Sequence, residues 1–443
     1  MPRISALPVA VPLATLALLV GCGNPAPPAY SPPLSLQALS MGSAKKYAFI
    51  HTLSIPSTLT LSALQSSSGG RVLEFYPDLG SAIVANNVAA RQPYDVTVES
   101  NTTRLKIGDA RMQGFNAWSS GFNAWSSGFT AWSSGFTTWS TGNSALATTF
   151  TENMDDWNAI QLSGAQALVP ELGQGIKVAV LDTGLDLNHP AFSGHVDTAN
   201  MYDFVAGTPT PQDVSNGTSS GSEGYGHGTA VASLVLQIAP KATILPLRVL
   251  DTNGCGDIQT IANAISYAVS AGAKVINLSL GSTTDVWALN SAIQSAISRG
   301  VTVVAAAGNS GDTNVLYPAR NALANGNNLQ AYGSVSVGSV TNSLTKSAFS
   351  TYGSYLELTA PGEGLKTAFP NNQTVLATGT SFSTPVVSGA LALALSAGVP
   401  SANRYDVSAL LNALDSTATL NNDSTYRLGY GTLNLTAFIH KYR

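Results

Sequence analysis

The sequence has few charged residues, few cysteines and few aromatic residues. Charged side chains make up 10% of the 443 residues, and the formal net charge is −4, whereas soluble domains usually contain about 25% charged residues. The chain has no long basic or acidic run, so its composition gives no reason to expect a nucleic-acid partner. Two cysteines are too few for a disulfide framework. Hydrophobic residues make up 44% of the chain, which is ample material for a large core.

The first 22 residues have the layout of a secretory signal, with Arg3, an apolar stretch and small residues before Cys22. The end of this segment, LVGC, resembles the bacterial lipobox, whose cysteine receives a lipid and becomes the mature N-terminus. We therefore predict a signal peptide at 1–21, lipidation of Cys22 and a Pro-rich tether at 22–44. The protein is expected to be an exported cell-envelope lipoprotein held on the membrane by this lipid. Later release by processing, and an ordinary signal peptide with an incidental cysteine, stay open.

Residues 45–110 have the pattern of a small α+β unit. The stretches KYAFIH, RVLEFY and SAIVAN are predicted strands, and Ser57 to Leu64 is a predicted helix. The unit contains no convincing cluster of catalytic side chains.

An aromatic repeat fills most of residues 111–142, which we interpret as a linker. The unit Gly-Phe-x-x-Trp-Ser recurs every seven residues and holds four of the six tryptophans of the chain: Trp118, Trp125, Trp132 and Trp139. Its Gly and Ser content disfavours a helix, and its odd period puts aromatic side chains on both faces of a strand. Three roles stay open: a linker that docks its rings on a protein surface, an inert spacer, and a cell-surface or glycan-binding element. Its aromatic residues could also serve as self-cleavage sites.

From residue 150 to 443 the pattern changes to short apolar runs that alternate with amphipathic helices. The predicted strands include KVAVLD, KVINLSLG and VTVVAAAGN, and the predicted helices include DIQTIANAISYAVSAG and WALNSAIQSAISRG. Unbroken apolar strands between helices indicate a parallel sheet that is covered on both faces. We predict an α/β fold with a doubly wound, mainly parallel sheet.

Four polar side chains are candidates for chemistry. Asp182 and Asn309 follow predicted strands, and ligands of open parallel sheets bind at that edge. His227 stands among glycines before an apolar helix, and Ser381 stands at the start of another helix. A serine hydroxyl becomes a nucleophile when a histidine takes its proton and a carboxylate orients that histidine. The helix N-terminus and the Asn309 amide could stabilise an oxyanion.

Five sequence blocks resemble the signature blocks of subtilisin-like serine proteases, and they stand in the order of that family. The blocks are VAVLDTGLDLNHP, GHGTAVAS, NLSLGS, AAAGNSG and GTSFSTPVVSG, and the resemblance covers roughly Trp157 to Leu435. It implies that Asp182 orients His227, that His227 acts as general base and then acid, and that Ser381 attacks the peptide carbonyl. Asn309 would hold the oxyanion. Protein or peptide substrates follow from this resemblance.

The resemblance also implies a substrate-binding surface. Two edge segments are expected to pair with an extended substrate, and a third segment is expected to line the primary specificity pocket. The first two are Gly254, Cys255 and Gly256 together with Ser279, Leu280 and Gly281, and the third is Ala305, Ala306, Ala307 and Gly308. Because the side chains of the third segment are small, we expect broad specificity with a preference for large apolar or aromatic residues before the cut.

No cofactor is expected for the chemistry. Many subtilisins bind structural calcium through a loop that interrupts the helix after the catalytic histidine, and here HGTAVASLVLQIAP contains no such insertion. No clear set of oxygen ligands stands out elsewhere, so we assign no metal ligands, although calcium elsewhere stays open. His189 is interpreted as a structural loop histidine. Asp186, Asp203 and Glu223 are interpreted as solvated loop acids.

The favoured hypothesis is a secreted or surface-anchored, monomeric serine endopeptidase. Residues 45–110 would then be the pro-region that chaperones and inhibits the enzyme. The runner-up is a catalytically idle relative that binds a surface through the aromatic repeat. A non-proteolytic acyl hydrolase is disfavoured because no G-x-S-x-G nucleophile elbow is present.

Overall fold

The computed structural model of the chain describes residues 47–107 (without 78–79 and 92), 150–215, 224–322, 333–421 and 425–443. The predicted signal peptide, the tether with Cys22, and the linker at 111–142 lie outside these residues. None of the helices within the described ranges is long and apolar enough to cross a membrane. The described residues before the linker are called the N-terminal unit, and those from Phe150 onward the main unit.

The N-terminal unit is a four-stranded antiparallel sheet with one helix. In the sheet the strand order is β2-β3-β1-β4. The elements are β1 (Phe49–Ser54), α1 (Leu61–Ser68), β2 (Arg71–Tyr76), β3 (Ser81–Asn86), β4 (Asp95–Ser100) and β5 (Arg104–Lys106). The helix begins later than predicted, because the Thr60 hydroxyl accepts the N–H of Ala63 at 3.2 Å and caps the helix there.

The main unit is built on a seven-stranded parallel sheet with the order β13-β12-β11-β10-β6-β8-β7, which confirms the predicted α/β class. Its strands are β6 (Lys177–Asp182), β7 (Tyr202–Asp203), β8 (Thr243–Arg248), β10 (Val275–Leu278), β11 (Thr302–Ala306), β12 (Ser334–Val340) and β13 (Leu358–Pro361). A short strand, β9 (Cys255–Asp257), lies outside this sheet and pairs with β5. A hairpin is formed by β14 (Leu365–Phe369) and β15 (Gln373–Ala377).

Helices cover both faces of the parallel sheet. On one face, α4 (His227–Ile238) and α7 (Thr380–Ser396) share a buried apolar core. On the other, α5 (Ile258–Ser270) and α6 (Trp287–Ser298) share a second core. The remaining helices are α2 (Met154–Ala159), α3 (Leu162–Leu168), α8 (Arg404–Ser416) and α9 (Leu435–His440). The arrangement is doubly wound, as predicted.

The N-terminal unit packs on α5 and α6 of the main unit. Ile50, Leu73 and Ile83 belong to the same buried core as the inner faces of these two helices. At the start of α6, the Glu99 carboxylate accepts the N–H of Trp287 at 2.9 Å and of Ala288 at 2.7 Å. A carboxylate in this position is favoured because the first N–H groups of a helix have no partner within the helix.

A second carboxyl group of the N-terminal unit is buried in this interface. Glu74 lies on β2, is 3% exposed and is hydrogen-bonded to the Ser266 hydroxyl of α5. Burial raises the pKa of Glu74 to about 8. The docked state therefore favours the protonated carboxyl.

Candidate active site

Asp182 and His227 form a buried pair at the carboxyl edge of the parallel sheet. Asp182 ends β6, and His227 is the first residue of α4. The distance from His227 Nδ1 to Asp182 Oδ1 is 2.7 Å, and the exposed fractions of the two residues are 1% and 0%. Because an ionised carboxylate only accepts hydrogen bonds, Nδ1 must carry the proton. In the neutral ring the lone pair then lies on Nε2, where it can accept a proton.

The turn that leads into α4 is held by a second carboxyl group, Asp213. Its Oδ1 accepts the N–H of Gly226 at 3.0 Å, and its Oδ2 accepts the hydroxyl of Thr229 at 2.8 Å. Asp213 is 4% exposed, and burial raises its pKa to about 7. No role of Asp213 beside His227 was predicted, because nothing local in the sequence signals that the loop folds back under His227.

Ser381 is the second residue of α7, a helix whose first sixteen residues are buried. The next residue, Phe382, packs its ring against the His227 ring with centroids 5.3 Å apart, so the start of α7 lies beside the Asp182–His227 pair. The Ser381 hydroxyl donates to the carbonyl of Ser279 at 3.3 Å, and the Ser279 hydroxyl donates to the carbonyl of Ser381 at 2.7 Å. These two bonds connect the nucleophile candidate to the segment after β10.

Asn309 follows β11 and is oriented by the helix that bears Ser381. Its Oδ1 accepts the backbone N–H of Thr380 at 2.8 Å and the Thr380 hydroxyl at 2.9 Å. Because the backbone N–H can only donate, the oxygen end of the Asn309 amide points at Thr380, and the NH₂ end points away from it. A β-carbon added to Gly379 would lie 3.4 Å from Nδ2. The amide therefore presents donors beside the start of α7.

The predicted substrate segments lie on two different loops. The segment Gly254, Cys255 and Gly256 includes the first two residues of β9, and the segment Ser279, Leu280 and Gly281 follows β10. β5 of the N-terminal unit pairs antiparallel with β9, with Leu105 opposite Gly256, and the N–H of Ile107 donates to the carbonyl of Gly254 at 3.1 Å. The β9 edge thus already holds an extended segment of the same chain.

The segment predicted to line a pocket lies at the end of β11. Ala305 and Ala306 close the strand, and Ala307 and Gly308 lead to Asn309. The side chains of Ala305, Ala306 and Ala307 are at most 5% exposed. Gly308 has a φ of 111°, a conformation that side-chain-bearing residues rarely adopt.

His189 is a structural residue, as predicted. Its Nδ1 accepts the N–H of Ala191 at 3.1 Å, and Nε2 contacts the carbonyl of Gln373 at 3.2 Å, so the neutral ring is satisfied at both nitrogens. Burial lowers the pKa of His189 to about 4.

The interpretation of Asp186 and Asp203 as solvated acids is wrong, because both are buried. Asp203 pairs with Arg248 at 2.8 Å, and Asp186 accepts the N–H of Asn371 at 2.9 Å. Glu223 lies outside the described residues.

Within the described ranges, His, Cys, Asp and Glu side chains do not form a group of three or more that could hold a metal ion. The helix α4, where many subtilisins carry the calcium loop, runs without interruption to Ile238.

Comparisons with known proteins identify the family. The model of the subtilase family, Peptidase_S8, matches residues 173–431. The chain is similar to thermitase of Thermoactinomyces vulgaris, at 40% identity over 241 residues that cover 52% of this chain and 78% of thermitase. It is also similar to Subtilisin Savinase of Lederbergia lenta, at 38% identity over 230 residues that cover 50% of this chain and 76% of the relative. A crystal structure of a cold-adapted subtilisin-like serine proteinase superimposes with a TM-score of 0.50 and 31% identity, covering 59% of this chain and 89% of that structure. The chain therefore belongs to the subtilase family and is a serine endopeptidase.

Proposed function

We propose that Asp182, His227 and Ser381 are the catalytic triad of this endopeptidase, with Asn309 as an oxyanion donor. The observation that carries the proposal is the buried 2.7 Å contact between His227 Nδ1 and Asp182 Oδ1, beside the helix start that bears Ser381. The resting state is then a neutral imidazole whose Nε2 can take a proton. Asp182 holds the ring in this tautomer and stabilises the imidazolium that forms during the reaction.

In the first half of the reaction, Ser381 Oγ attacks the carbonyl carbon of the peptide bond while its proton moves to His227 Nε2. The tetrahedral intermediate collapses, the C–N bond breaks, and His227 returns that proton to the leaving amine. An acyl-enzyme remains on Ser381. In the second half a water molecule attacks the ester, again with His227 as base, and the carboxylic acid product leaves with Ser381 Oγ reprotonated.

The negative charge of each intermediate is placed beside two kinds of donor. The Asn309 amide supplies one N–H, because its oxygen end is already engaged by Thr380. The backbone at the start of α7 supplies another, together with the positive end of the helix dipole. One such donor contributes roughly a factor of 10² to 10³ to the rate.

The substrate is proposed to lie extended between β9 and the segment 279–281. Antiparallel pairing of β5 with β9 supports this mode, because β5 uses the backbone bonds that an added substrate strand would use. Backbone pairing of this kind does not depend on side chains, so it allows broad specificity. The sequence-based preference for large apolar or aromatic residues before the cut stays a prediction.

Residues 45–110 are proposed to be an inhibitory and chaperoning pro-region. Two observations support this role: β5 occupies the β9 edge, and Glu99 caps α6 of the main unit. Ile107 also contacts Gly254, which lies against Gly224, and the carbonyl of Gly224 accepts the N–H of His227 at 3.1 Å. The strand therefore runs toward the triad, and maturation is proposed to cut the chain shortly beyond Ile107, ahead of the aromatic repeat at 111–142.

The enzyme is proposed to be an exported monomer anchored by a lipid on Cys22, with residues 22–44 as its tether. The sequence of the first 22 residues supports this location. A cut between Ile107 and the repeat would release the catalytic part from the anchor, together with the aromatic repeat at its new N-terminus. The repeat would then act as a docking linker of the mature enzyme. Retention of the full-length chain in the detergent phase of Triton X-114, lost in Cys22→Ala, would support the anchor; equal partitioning of both would exclude it.

A fluorophosphonate probe tests the triad directly, because it reacts with an activated serine. Mature wild-type protein should be labelled on Ser381, and Ser381→Ala should not be labelled. Ser383→Ala is a matched control, since this hydroxyl lies on the same buried turn of α7 and should leave labelling intact. A folded wild-type protein that neither reacts with the probe nor cleaves casein would overturn the proposed roles.

A further inference from the structure

The Leu316 side chain lies between the two backbone segments that line the predicted specificity pocket. A β-carbon added to Gly281 would lie 2.9 Å from Leu316 Cβ, and one added to Gly308 would lie 2.9 Å from Leu316 Cγ. Leu316 Cδ1 is 3.1 Å from both added carbons. One side chain therefore contacts both walls and occupies the space between them.

The backbone around Leu316 is tied to both walls, so the side chain is held in place. The N–H of Leu316 donates to the carbonyl of Ala307 at 2.9 Å. Tyr317 and Ser282 exchange two backbone hydrogen bonds of 2.8 Å each. Leu316 is 8% exposed. Moving it aside would break these bonds or force a buried apolar side chain toward solvent.

We propose that Leu316 closes the primary specificity pocket and restricts cleavage to bonds that follow glycine, alanine or serine. This inference rests on the proposed triad. It changes the expected preference before the cut from a large apolar residue to a small residue. Forcing extra carbons into a packed site displaces side chains and backbone and costs about 1–3 kcal/mol. A leucine or phenylalanine side chain would have to enter space that Leu316 already fills.

The strand β5 supports the same preference from the substrate side. Ile107 hydrogen-bonds to Gly254 and contacts it, and Gly108 is the next residue in the sequence. If the chain is cut after Gly108, the residue before the cut needs no side-chain pocket. Leu105 and Ile107 are 0% and 7% exposed, so the strand buries apolar side chains two residues apart. The proposed substrate class is an extended segment of the form apolar, any residue, apolar, small, with the cut after the small residue.

Peptide p-nitroanilides that carry the sequence of residues 104–107 followed by one varied residue test this inference, because cleavage after the varied residue releases p-nitroaniline. The varied residue is glycine, alanine, leucine or phenylalanine, and kcat/KM is measured with matured enzyme whose active sites are counted by fluorophosphonate labelling. We expect the alanine peptide to exceed the phenylalanine peptide at least tenfold, since one misfitting group in an apolar pocket changes kcat/KM by about 10–200-fold. A phenylalanine peptide cleaved as fast as the alanine peptide overturns the inference.

The variant Leu316→Gly should open the pocket. The ratio of kcat/KM for the phenylalanine peptide to that for the alanine peptide should rise at least tenfold, and Leu316→Ala should give an intermediate ratio. Val315→Ala is the matched control, because Val315 is buried beside Leu316 and its truncation should leave the ratio unchanged. If no peptide is cleaved and no probe reacts, the proposed triad fails. If all peptides are cleaved and the ratio of kcat/KM between the phenylalanine and alanine peptides does not change with residue 316, only the pocket inference fails. If the Leu316 variants do not fold, the kcat/KM values of the wild-type enzyme for the four peptides decide whether the pocket inference holds.

Discussion

Within the described residues, two buried histidine–aspartate pairs have almost the same geometry. In the main unit, His227 Nδ1 lies 2.7 Å from Asp182; in the N-terminal unit, His51 Nδ1 lies 2.8 Å from Asp95. Both histidines are 1% exposed. A search for buried pairs alone would not distinguish the proposed catalytic pair from the other one.

The difference lies at the second nitrogen of each ring. His51 Nε2 faces two acceptors, the side-chain oxygen of Asn86 at 2.9 Å and the carbonyl of Val88 at 2.8 Å. The same Asn86 oxygen also accepts the N–H of Val88 at 2.8 Å, which fixes the orientation of the amide. Each nitrogen of the ring thus contacts a partner within its own unit, and His51 connects β1 to β4 and to the end of β3.

The ring of His227, in contrast, packs against the residue that follows a serine at a helix start. A buried pair can do chemistry only when the outer nitrogen can exchange a proton with a reacting group. The surroundings of the outer nitrogen therefore decide the role of such a pair.

The largest effect is expected from breaking the proposed catalytic pair of Asp182 and His227. Asp182→Asn should lower the rate of fluorophosphonate labelling and of self-processing by about 10⁴, because an amide favours the wrong tautomer of His227. Asp186→Asn is the matched control, a buried aspartate of the following loop that should stay within about tenfold of wild type. Near-normal labelling of Asp182→Asn, with folding verified by circular dichroism, would refute the assigned role.

A smaller effect of a different kind is expected from the second pair. His51→Ala should destabilise the N-terminal unit by about 3–5 kcal/mol, because Asp95 loses its buried charge partner. Hydrogen exchange of the β1–β4 amides, in a Ser381→Ala background that prevents processing, measures this loss. Combining the change with Asp95→Asn gives a double-mutant cycle and thus the coupling between the two groups.

The kcat/KM of enzyme that has matured despite His51→Ala should equal that of wild type. A lowered value would show that the two pairs are not functionally separate. Unchanged exchange of the β1–β4 amides would show that the His51 pair does not hold the sheet.

The smallest expected effect is a pH dependence of docking. It concerns how the N-terminal unit binds the main unit, not how stable the N-terminal unit is by itself. Burial raises the pKa of Glu74 to about 8 in the docked state, whereas the pKa of an exposed glutamate is about 4.3. The docked state therefore holds the proton more tightly, so this contribution to docking is complete below about pH 4.3. The equilibrium constant for docking then falls by up to about tenfold per pH unit as the pH rises toward 8, and it is constant above that pH.

Hydrogen exchange of the β9 amides between pH 6 and 8, again in the Ser381→Ala background and corrected for intrinsic exchange, measures docking. Glu74→Gln should flatten the pH dependence, and Glu171→Gln, an exposed residue paired with Arg443, should leave it unchanged. A Glu74→Gln profile identical to that of wild type would contradict this prediction.

Sequence reasoning succeeded where the determinants are local. The strand that ends at Asp182 and the helix Ile258–Ser270 follow from apolar runs and periodicity. The candidates at Asn309 and Ser381 follow from their places at the ends of such elements.

It failed where distant residues decide the outcome. Asp203 is buried because Arg248 of a neighbouring strand neutralises it. The pairing of β5 with β9 joins segments about 150 residues apart, and no local pattern specifies it. Leu316 enters the pocket only because backbone bonds tie its loop to two walls that are remote in sequence. Such contacts depend on the completed fold.

The pairing of β5 with β9 has a consequence for reaction order. While the chain is intact, its own strand competes for the groove at an effective concentration of the order of millimolar, as for any short intramolecular connection. The first cut should therefore be unimolecular, with a half-time independent of protein concentration. After the cut, rebinding of the severed unit becomes bimolecular. Dilution should then favour the active form, and crowding at a membrane surface should delay it.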